Sequence, residues 1–146
     1  MVKHILIVGT AFTILLSCEK KEEKVITRTP VEVIDNENTA QNSLDILGTY
    51  KGVLPCADCE GIETEITLIA DETYIKKTKY LGKDNNSFQE MGSYSWKTDG
   101  NTLVLEGIDS EPEEYLVREN SIMQLDMQGN KVTGDLSEKY ILKKEN

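Results

Sequence analysis

The sequence predicts an all-β protein folded as an eight-stranded, up-and-down antiparallel β-barrel. Three observations over residues 47–143 support this prediction. Apolar and polar residues alternate in short segments, turn residues separate these segments at intervals of roughly eight to twelve positions, and no segment of useful length has a helical period. Short turns between successive strands favour a meander, and closing it into a barrel removes the exposed edges that recruit other chains.

The individual strands follow from the alternation and from the turns between them. The second strand is the clearest, because Ile62 and Leu68 fall on one face while Glu63 and Glu65 fall on the other. One face therefore belongs to the core and the other to solvent. The predicted strands are residues 47–54, 62–70, 73–81, 88–96, 102–107, 113–119, 121–127 and 138–143.

The interior of such a barrel is either filled by side chains or holds one small ligand. Aromatic residues are spread over most of the predicted strands, and core or barrel-end packing is their expected role ahead of lining a ligand cavity. Phe88, Tyr94 and Trp96 share a parity, so they are predicted to share a face.

The first residues predict a lipid anchor. Lys3 precedes an apolar run of about a dozen residues, which is shorter than the roughly 20 that a spanning helix needs, so residues 1–17 are interpreted as a signal peptide. The segment Leu15-Leu16-Ser17-Cys18 resembles a bacterial lipobox, in which the Cys becomes the first mature residue and carries acyl chains such as palmitate. The alternative is an ordinary secretory signal with an incidental Cys, which the small Ser17 and the charged residues after Cys18 disfavour.

Two further segments complete the predicted organisation. Residues 18–43 comprise the lipidated Cys18 and a polar, flexible tether, and residues 44–146 form the barrel domain. The charged run that follows Cys18 is interpreted as a solvated linker, with a surface-export address as the alternative. We expect the chain to be attached to a membrane of the cell envelope through its N-terminal lipid, at the outer membrane, on its periplasmic face or at the cell surface.

Composition excludes several functional classes. The formal net charge of −10 and the lack of a basic stripe disfavour nucleic acid as a partner. Lys76, Lys77 and Lys79 are interpreted as a solvated strand face, and the acidic segment 111–114 as a solvated loop. The single histidine, His4, leaves with the signal peptide, which removes triad catalysis and His-ligated metal sites. The chain is therefore not predicted to be an enzyme.

The most informative segment is a C-x-x-C motif between the first two strands. Cys56 and Cys59 lie in a turn flanked by Pro55 and Gly61, and with Cys18 lipidated they are the remaining pair of thiols in an oxidising compartment. Three interpretations stay open: a structural disulfide, a redox-responsive disulfide, and a pair of Cu(I) ligands.

Other chemistry at the motif is disfavoured. A thioredoxin-type centre would start a helix, and a structural zinc site would need a second ligand pair; the sequence provides neither. Cu(I) would need a further soft ligand, for which Met91, Met123 and Met127 are the candidates. Because methionine in a small barrel more often fills core gaps, no bound cofactor is expected.

Residues 48–64, with the sequence GTYKGVLPCADCEGIET, resemble the signature of the N-terminal domain of NlpE-type lipoproteins, a family associated with copper resistance and envelope-stress sensing. Weaker similarity continues to about residue 143. The resemblance implies a small lipocalin-like barrel on a lipid anchor. Some members carry a second, OB-like domain with its own cysteine pair, which is not expected here, so functions resting on that domain are not carried over. The motif residues are Gly48, Tyr50, Gly52, Leu54, Pro55, Cys56, Ala57, Asp58, Cys59 and Gly61.

Two functional hypotheses follow. The first is a non-enzymatic envelope sensor or adaptor, in which the state of Cys56 and Cys59 or the barrel surface engages another envelope protein. It would report copper excess, faulty lipoprotein traffic or surface contact. The alternative is a lipocalin-like binding protein that holds a small apolar ligand or lipid. An apolar cavity inside the barrel would favour the binding protein, and a filled core would favour the sensor.

Overall fold

The computed structural model describes residues 38–83, 86–107 and 111–146, all within one compact unit. The predicted signal peptide, the lipidation site Cys18 and most of the predicted tether lie outside these residues. In the described ranges, no helix has the length and apolar character needed to cross a bilayer.

Eight antiparallel strands form one closed sheet in the order of the sequence, which confirms the predicted meander barrel. Each strand pairs with its chain neighbours, and the first strand pairs with the last, as shown by the partners Tyr50 and Lys144. The sheet therefore leaves neither of its terminal strands unpaired. The strands are β1 (Gly48–Leu54), β2 (Gly61–Ile69), β3 (Thr73–Leu81), β4 (Ser87–Trp96), β5 (Thr102–Gly107), β6 (Glu113–Arg118), β7 (Ser121–Gln124) and β8 (Ile141–Lys144).

The largest differences from the predicted strand bounds lie around β7 and β8. β7 ends at Gln124, before the predicted residue 127, because the Asp126 carboxylate accepts hydrogen bonds from the backbone N–H groups of Gln128 (2.9 Å) and Asn130 (2.8 Å) and bends the chain. β8 begins at Ile141 after a 3-10 turn over Ser137–Tyr140. The connection between the two strands is therefore longer than a tight hairpin.

Side chains of one parity on each strand point into the barrel. The register places Leu68 opposite Tyr74 and Tyr94 opposite Leu105, and all four are buried. Tyr94 is buried, Trp96 packs against the core, and Phe88 lines a cavity that opens into the barrel, which confirms the predicted common face. The core cluster consists of Ala40, Ile46, Tyr50, Leu54, Ile66, Leu68, Tyr74, Tyr94, Leu103, Leu105, Tyr115, Val117, Ile122 and Leu142.

A short helix, α1 (Ala40–Ser43), covers one end of the barrel, which we call the closed end. The N–H of Ala40 donates to Asn101 Oδ1 (2.8 Å), and the N–H of Gln41 donates to the carbonyl of Gly100 (3.0 Å). Ala40 is buried against the core. The last residues of the predicted tether thus pack on the turn between β4 and β5.

Glycine is required where strands approach closely inside the barrel. A Cβ on Gly92 would lie 2.1 Å from the carbonyl oxygen of Glu106 and 2.9 Å from the Tyr74 ring, and one on Gly52 would lie 2.9 Å from the carbonyl oxygen of Ile141. Distances this short are not tolerated, so both positions need a residue without a side chain. Gly52, one of the motif residues, therefore has a packing role.

Candidate functional site at the barrel mouth

The C-x-x-C turn lies at the end of the barrel opposite α1, which we call the mouth. β1 ends there at Leu54 and β2 begins there at Gly61. Cys56 and Cys59 are joined by a disulfide with an S–S distance of 2.01 Å and a Cα–Cα distance of 5.3 Å. The predicted disulfide is present in the structure, and by the chain-entropy relation so small a ring contributes about 2 kcal/mol to stability. The bond is therefore a local constraint on the turn.

The turn is attached to the end of β3 by two contacts. The N–H of Glu60 donates to the carbonyl of Leu81 (3.1 Å), and the Lys83 ammonium pairs with the Asp58 carboxylate. The hydrogen bond from Lys83 and its positive charge lower the pKa of Asp58. Because this ion pair is exposed, its contribution is more to the position of the turn than to its stability.

The same turn contains the metal-donor cluster found among the described residues. Ligand atoms of Cys56, Asp58 and Cys59 lie within 4.8 Å of one another. In the disulfide form both sulfurs are bonded to each other and offer no thiolate, so this form does not fit Cu(I). Of the methionines predicted as further ligands, Met123 is buried, whereas Met91 and Met127 are exposed.

The remaining motif residues have mainly structural positions. Tyr50 is buried at the closed end, and its hydroxyl donates to the carbonyl of Ile46 (2.9 Å). Burial, with smaller effects of Asp45 and Tyr94, raises the pKa of Tyr50 to about 12, so its hydroxyl remains a donor at neutral pH. The others are placed as follows: Gly48 and Gly61 begin β1 and β2, Gly52 lies against Leu142, Leu54 and Pro55 lie at the mouth, and Ala57 and Asp58 are exposed in the turn.

A cavity of about 350 Å³ opens at the mouth beside this turn. Two of its lining residues, Tyr80 and Phe88, contact each other edge to face with ring centroids 5.9 Å apart. The cavity is lined by Leu54, Pro55, Ile62, Thr64, Lys76, Thr78, Tyr80, Phe88, Gln89, Glu90, Glu113 and Gln124. The barrel is therefore filled at the closed end and hollow at the mouth.

The floor of this cavity is charged. Lys76 forms an ion pair with Glu113, and the Lys76 side chain is only 13% exposed. From below, the Tyr115 hydroxyl donates to Glu113 Oε2 (2.6 Å) and the Tyr74 hydroxyl donates to Glu90 Oε1 (2.6 Å). We call Lys76, Glu90 and Glu113 the polar floor.

The two tyrosines beneath the polar floor remain protonated. Burial raises the pKa of Tyr115 well above its ordinary value, and the negative charge of Glu113 and its hydrogen bond add to the increase. Burial and the hydrogen bond to Glu90 likewise raise the pKa of Tyr74. Each hydroxyl is therefore a fixed donor that holds one carboxylate in place.

The polar floor corrects two interpretations made from the sequence. Lys76 does not share a solvated face with Lys77 and Lys79; it points inward, and its neighbour Lys77 pairs with Glu65 on the outer surface. Glu113 begins β6, in agreement with the predicted strand 113–119, and its carboxylate pairs with Lys76 instead of lying in a solvated loop. Parity was the available signal, because Lys76 lies two positions from the inward-facing Tyr74.

Comparison with known proteins agrees with the motif and the barrel. The NlpE N-terminal domain family matches residues 50–135. Lipoprotein NlpE of Escherichia coli K12 is 33% identical over 138 residues, which cover 90% of this chain and 54% of that protein, so the chain spans about half the length of this relative.

Two crystal structures share the fold. A candidate lipoprotein of Shewanella oneidensis is 48% identical with a TM-score of 0.68, and the match covers 75% of this chain and 97% of that one. E. coli NlpE, described as a Cpx pathway activator, is 34% identical with a TM-score of 0.52, and the match covers 60% of this chain and 46% of that one. Since the family match includes more than half of the sequence and the barrel is shared, the chain belongs to the NlpE N-terminal domain family.

Proposed function

We propose that this chain is a lipid-anchored protein of the cell envelope that acts, without catalysing a reaction, as a sensor or adaptor in envelope-stress signalling. The observation that carries the proposal is the match to E. coli NlpE, a Cpx pathway activator, over the barrel and its cysteine motif. Attachment would be through acyl chains on Cys18, at the outer membrane. The partner would be another envelope protein that recognises the mouth of the barrel.

The disulfide turn has the features that a redox-sensitive recognition element needs. It is closed by a ring of four residues, its tip at Ala57 and Asp58 is exposed, and Lys83 and Leu81 hold it on β3. Reduction by an envelope dithiol would transfer two electrons and two protons to the pair, leaving two thiols and a disulfide on the reductant. The turn would then lose its covalent constraint while the barrel beneath it stays closed.

Copper is a candidate signal in this proposal and not a resident cofactor. Only the reduced turn would offer Cys56 and Cys59 as thiolates, which are the soft donors that Cu(I) prefers. Asp58 lies beside both sulfurs.

The proposal is tested in cells with an envelope-stress reporter. Cys56→Ser/Cys59→Ser should change reporter activity under reductive or copper stress while keeping the protein folded, because the four-residue ring stabilises by only about 2 kcal/mol. Ala57→Ser is the matched control, since it adds a hydroxyl to the same exposed turn and keeps the disulfide. Free thiols are trapped with an alkylating reagent before and after stress, and labelled palmitate on the protein should disappear in Cys18→Ser.

Two results would contradict the proposal. One is a reporter that responds to stress in the same way with the double variant and with the unaltered protein. The other is a pair of thiols that is alkylated under all conditions, which would remove the disulfide as a switch.

The alternative, a protein that binds a small apolar ligand or lipid, gains support from the existence of a cavity but not from its lining. An apolar molecule placed against the polar floor would displace water from Lys76, Glu90 and Glu113 without replacing its hydrogen bonds. We therefore rank this alternative second.

A further inference from the structure

The mouth cavity presents two exposed aromatic rings to any molecule that enters it. Tyr80 and Phe88 both line the cavity and both remain exposed. In their edge-to-face contact one ring offers its edge, so the faces of that ring stay clear of its partner. The volume of about 350 Å³ is near the lower limit of the roughly 300–1,000 Å³ that small-molecule sites have, which suits a single ring better than a chain of rings.

Uncharged polar side chains lie next to these rings. Thr78 is directly opposite Phe88 in the register of β3 and β4, and Gln124 is opposite the inward-facing Tyr115. Among the described residues, the side chains of Thr78, Tyr80 and Gln124 have no hydrogen-bond partner in the protein. A carboxamide offers donors and an acceptor in one plane, and a hydroxyl can act as either. The wall is therefore suited to a ligand that both donates and accepts hydrogen bonds.

The ion pair in the polar floor does not supply a counter-charge for a ligand. The Lys76 ammonium and the Glu113 carboxylate already neutralise each other, and the Tyr115 hydroxyl holds the carboxylate in place. A charged ligand group placed here would have to break this pair or lose its water without gaining an opposite charge, and both are costly. A neutral hydroxyl group can instead hydrogen-bond to the paired groups without separating them.

We propose that the mouth cavity binds one ring of an uncharged pyranose sugar, with a face of the sugar against Phe88 and its hydroxyl groups hydrogen-bonded to Thr78 and Gln124. The C–H groups on the face of such a ring are slightly positive and are attracted to the negative face of an aromatic ring. Adjacent hydroxyl groups match the paired donor and acceptor of a carboxamide. This site concerns the barrel interior, so it stands independently of the signalling role proposed above.

The test uses the full lipidated chain in phosphatidylcholine nanodiscs, with methyl β-D-glucopyranoside as the probe, since its equatorial hydroxyl groups leave both ring faces apolar. Binding is measured by saturation-transfer NMR and calorimetry, with empty nanodiscs as the blank. The dissociation constant should be about 1 mM, as expected for a ligand of this size. Cyclohexanol, a similar ring with a single hydroxyl group, should bind at least about tenfold more weakly. Glucuronate and glucosamine, which add a charge to the sugar, should bind no more tightly than the probe.

Three variants separate the cavity from other surfaces. Gln124→Leu should weaken binding of the glucoside about tenfold, because it leaves sugar hydroxyl groups without a partner. Gln41→Leu makes the same change on the exposed side of α1, at the closed end, and should change binding less than about twofold. Phe88→Trp enlarges the stacking surface and should tighten binding about threefold, a gain that unfolding does not produce.

The proposal is overturned if the unaltered protein shows no saturable binding of the glucoside up to about 10 mM, a tenfold excess over the expected dissociation constant. It is also overturned if cyclohexanol binds as tightly as the glucoside, or if either charged sugar binds more tightly. Equal weakening by Gln124→Leu and Gln41→Leu, or weaker binding by Phe88→Trp than by the unaltered protein, would place the sugar outside the cavity.

Discussion

At its closed end the barrel is packed with Leu68, Leu103 and Val117, whereas at its mouth the same eight strands enclose Lys76 and Glu113 beside an open cavity. The strands do not change between the two ends, and only the inward-facing residues do. Apolar area removed from water is the main source of stability, and a charged group inside a barrel contributes little net stability even when paired. The comparison therefore indicates that the closed end stabilises the fold and that the mouth is available for recognition.

The largest effect should come from a truncation in the closed-end core. Leu103 is 0% exposed, so Leu103→Ala should lower the free energy of unfolding by about 2–5 kcal/mol. Phe88 has the same inward parity but is 58% exposed at the mouth, so Phe88→Ala should change it by less than about 0.5 kcal/mol. Urea unfolding followed by circular dichroism measures both. Equal losses would mean that the two ends do not differ in their contribution to stability.

An intermediate effect is expected from the polar floor. Glu113→Gln leaves the poorly exposed Lys76 ammonium without its partner and should lower the free energy of unfolding by about 1–3 kcal/mol. Adding Lys76→Met removes the ammonium group that has lost its partner, so the double variant should recover most of the lost free energy of unfolding. If the double variant remains much less stable than the unaltered protein, the ion pair itself stabilises the mouth, and the comparison drawn above fails there.

The smallest effect concerns the Asp99 turn at the closed end. Burial opposes ionisation of Asp99, but hydrogen bonds from the N–H groups of Asn101 (2.8 Å) and Thr102 (2.9 Å) and from the Thr102 hydroxyl (2.7 Å) outweigh it and lower its pKa. Since the folded pKa lies below the unfolded one, this stabilisation is present above the unfolded pKa of roughly 4 and is lost as the pH falls through the folded pKa.

Asp99→Asn should therefore reduce stability at pH 7 by less than about 1 kcal/mol, because Asp99 is only partly desolvated and remains largely exposed to screening by solvent. It should also flatten the dependence of stability on pH below about 4. Thermal unfolding between pH 2.5 and 7 tests this, with Asp71→Asn in the turn between β2 and β3 as the control. If the stability of Asp99→Asn depends on pH below about 4 as that of the unaltered protein does, Asp99 is not a source of this dependence.

The outer architecture was predictable from sequence because it depends on local patterns. The period-two alternation of β2 and the turn chemistry between strands predicted all eight strands and their order, and spacing alone placed Cys56 and Cys59 in one turn. The predicted end of β7, residue 127, lies beyond the observed end at Gln124. The Asp126 side chain accepts hydrogen bonds from backbone N–H groups that a longer strand would have used.

The polar floor was not predicted because its parts are separated along the chain. Lys76 and Glu113 are 37 positions apart and meet only when the barrel closes. Each looks like an ordinary surface charge in its own segment, and inward-facing charge is rare enough that solvent exposure is the default expectation. Strict use of parity on β3 would have identified Lys76 as an inward-facing residue. Its partner depends on the shear of the barrel, which local sequence does not encode.

Because β1 and β8 pair antiparallel, the start of β1 and the end of β8 lie at the same end of the barrel. α1 precedes β1 at the closed end, and the N–H of Glu145, just after β8, donates to the carbonyl of Thr49 (2.8 Å) at that same end. A fluorophore, a surface support or a fusion partner joined directly before α1 or after β8 would therefore lie at the end of the barrel opposite the disulfide turn. The barrel can therefore be immobilised through this end for single-molecule or surface-binding measurements, which directs the disulfide turn away from the support.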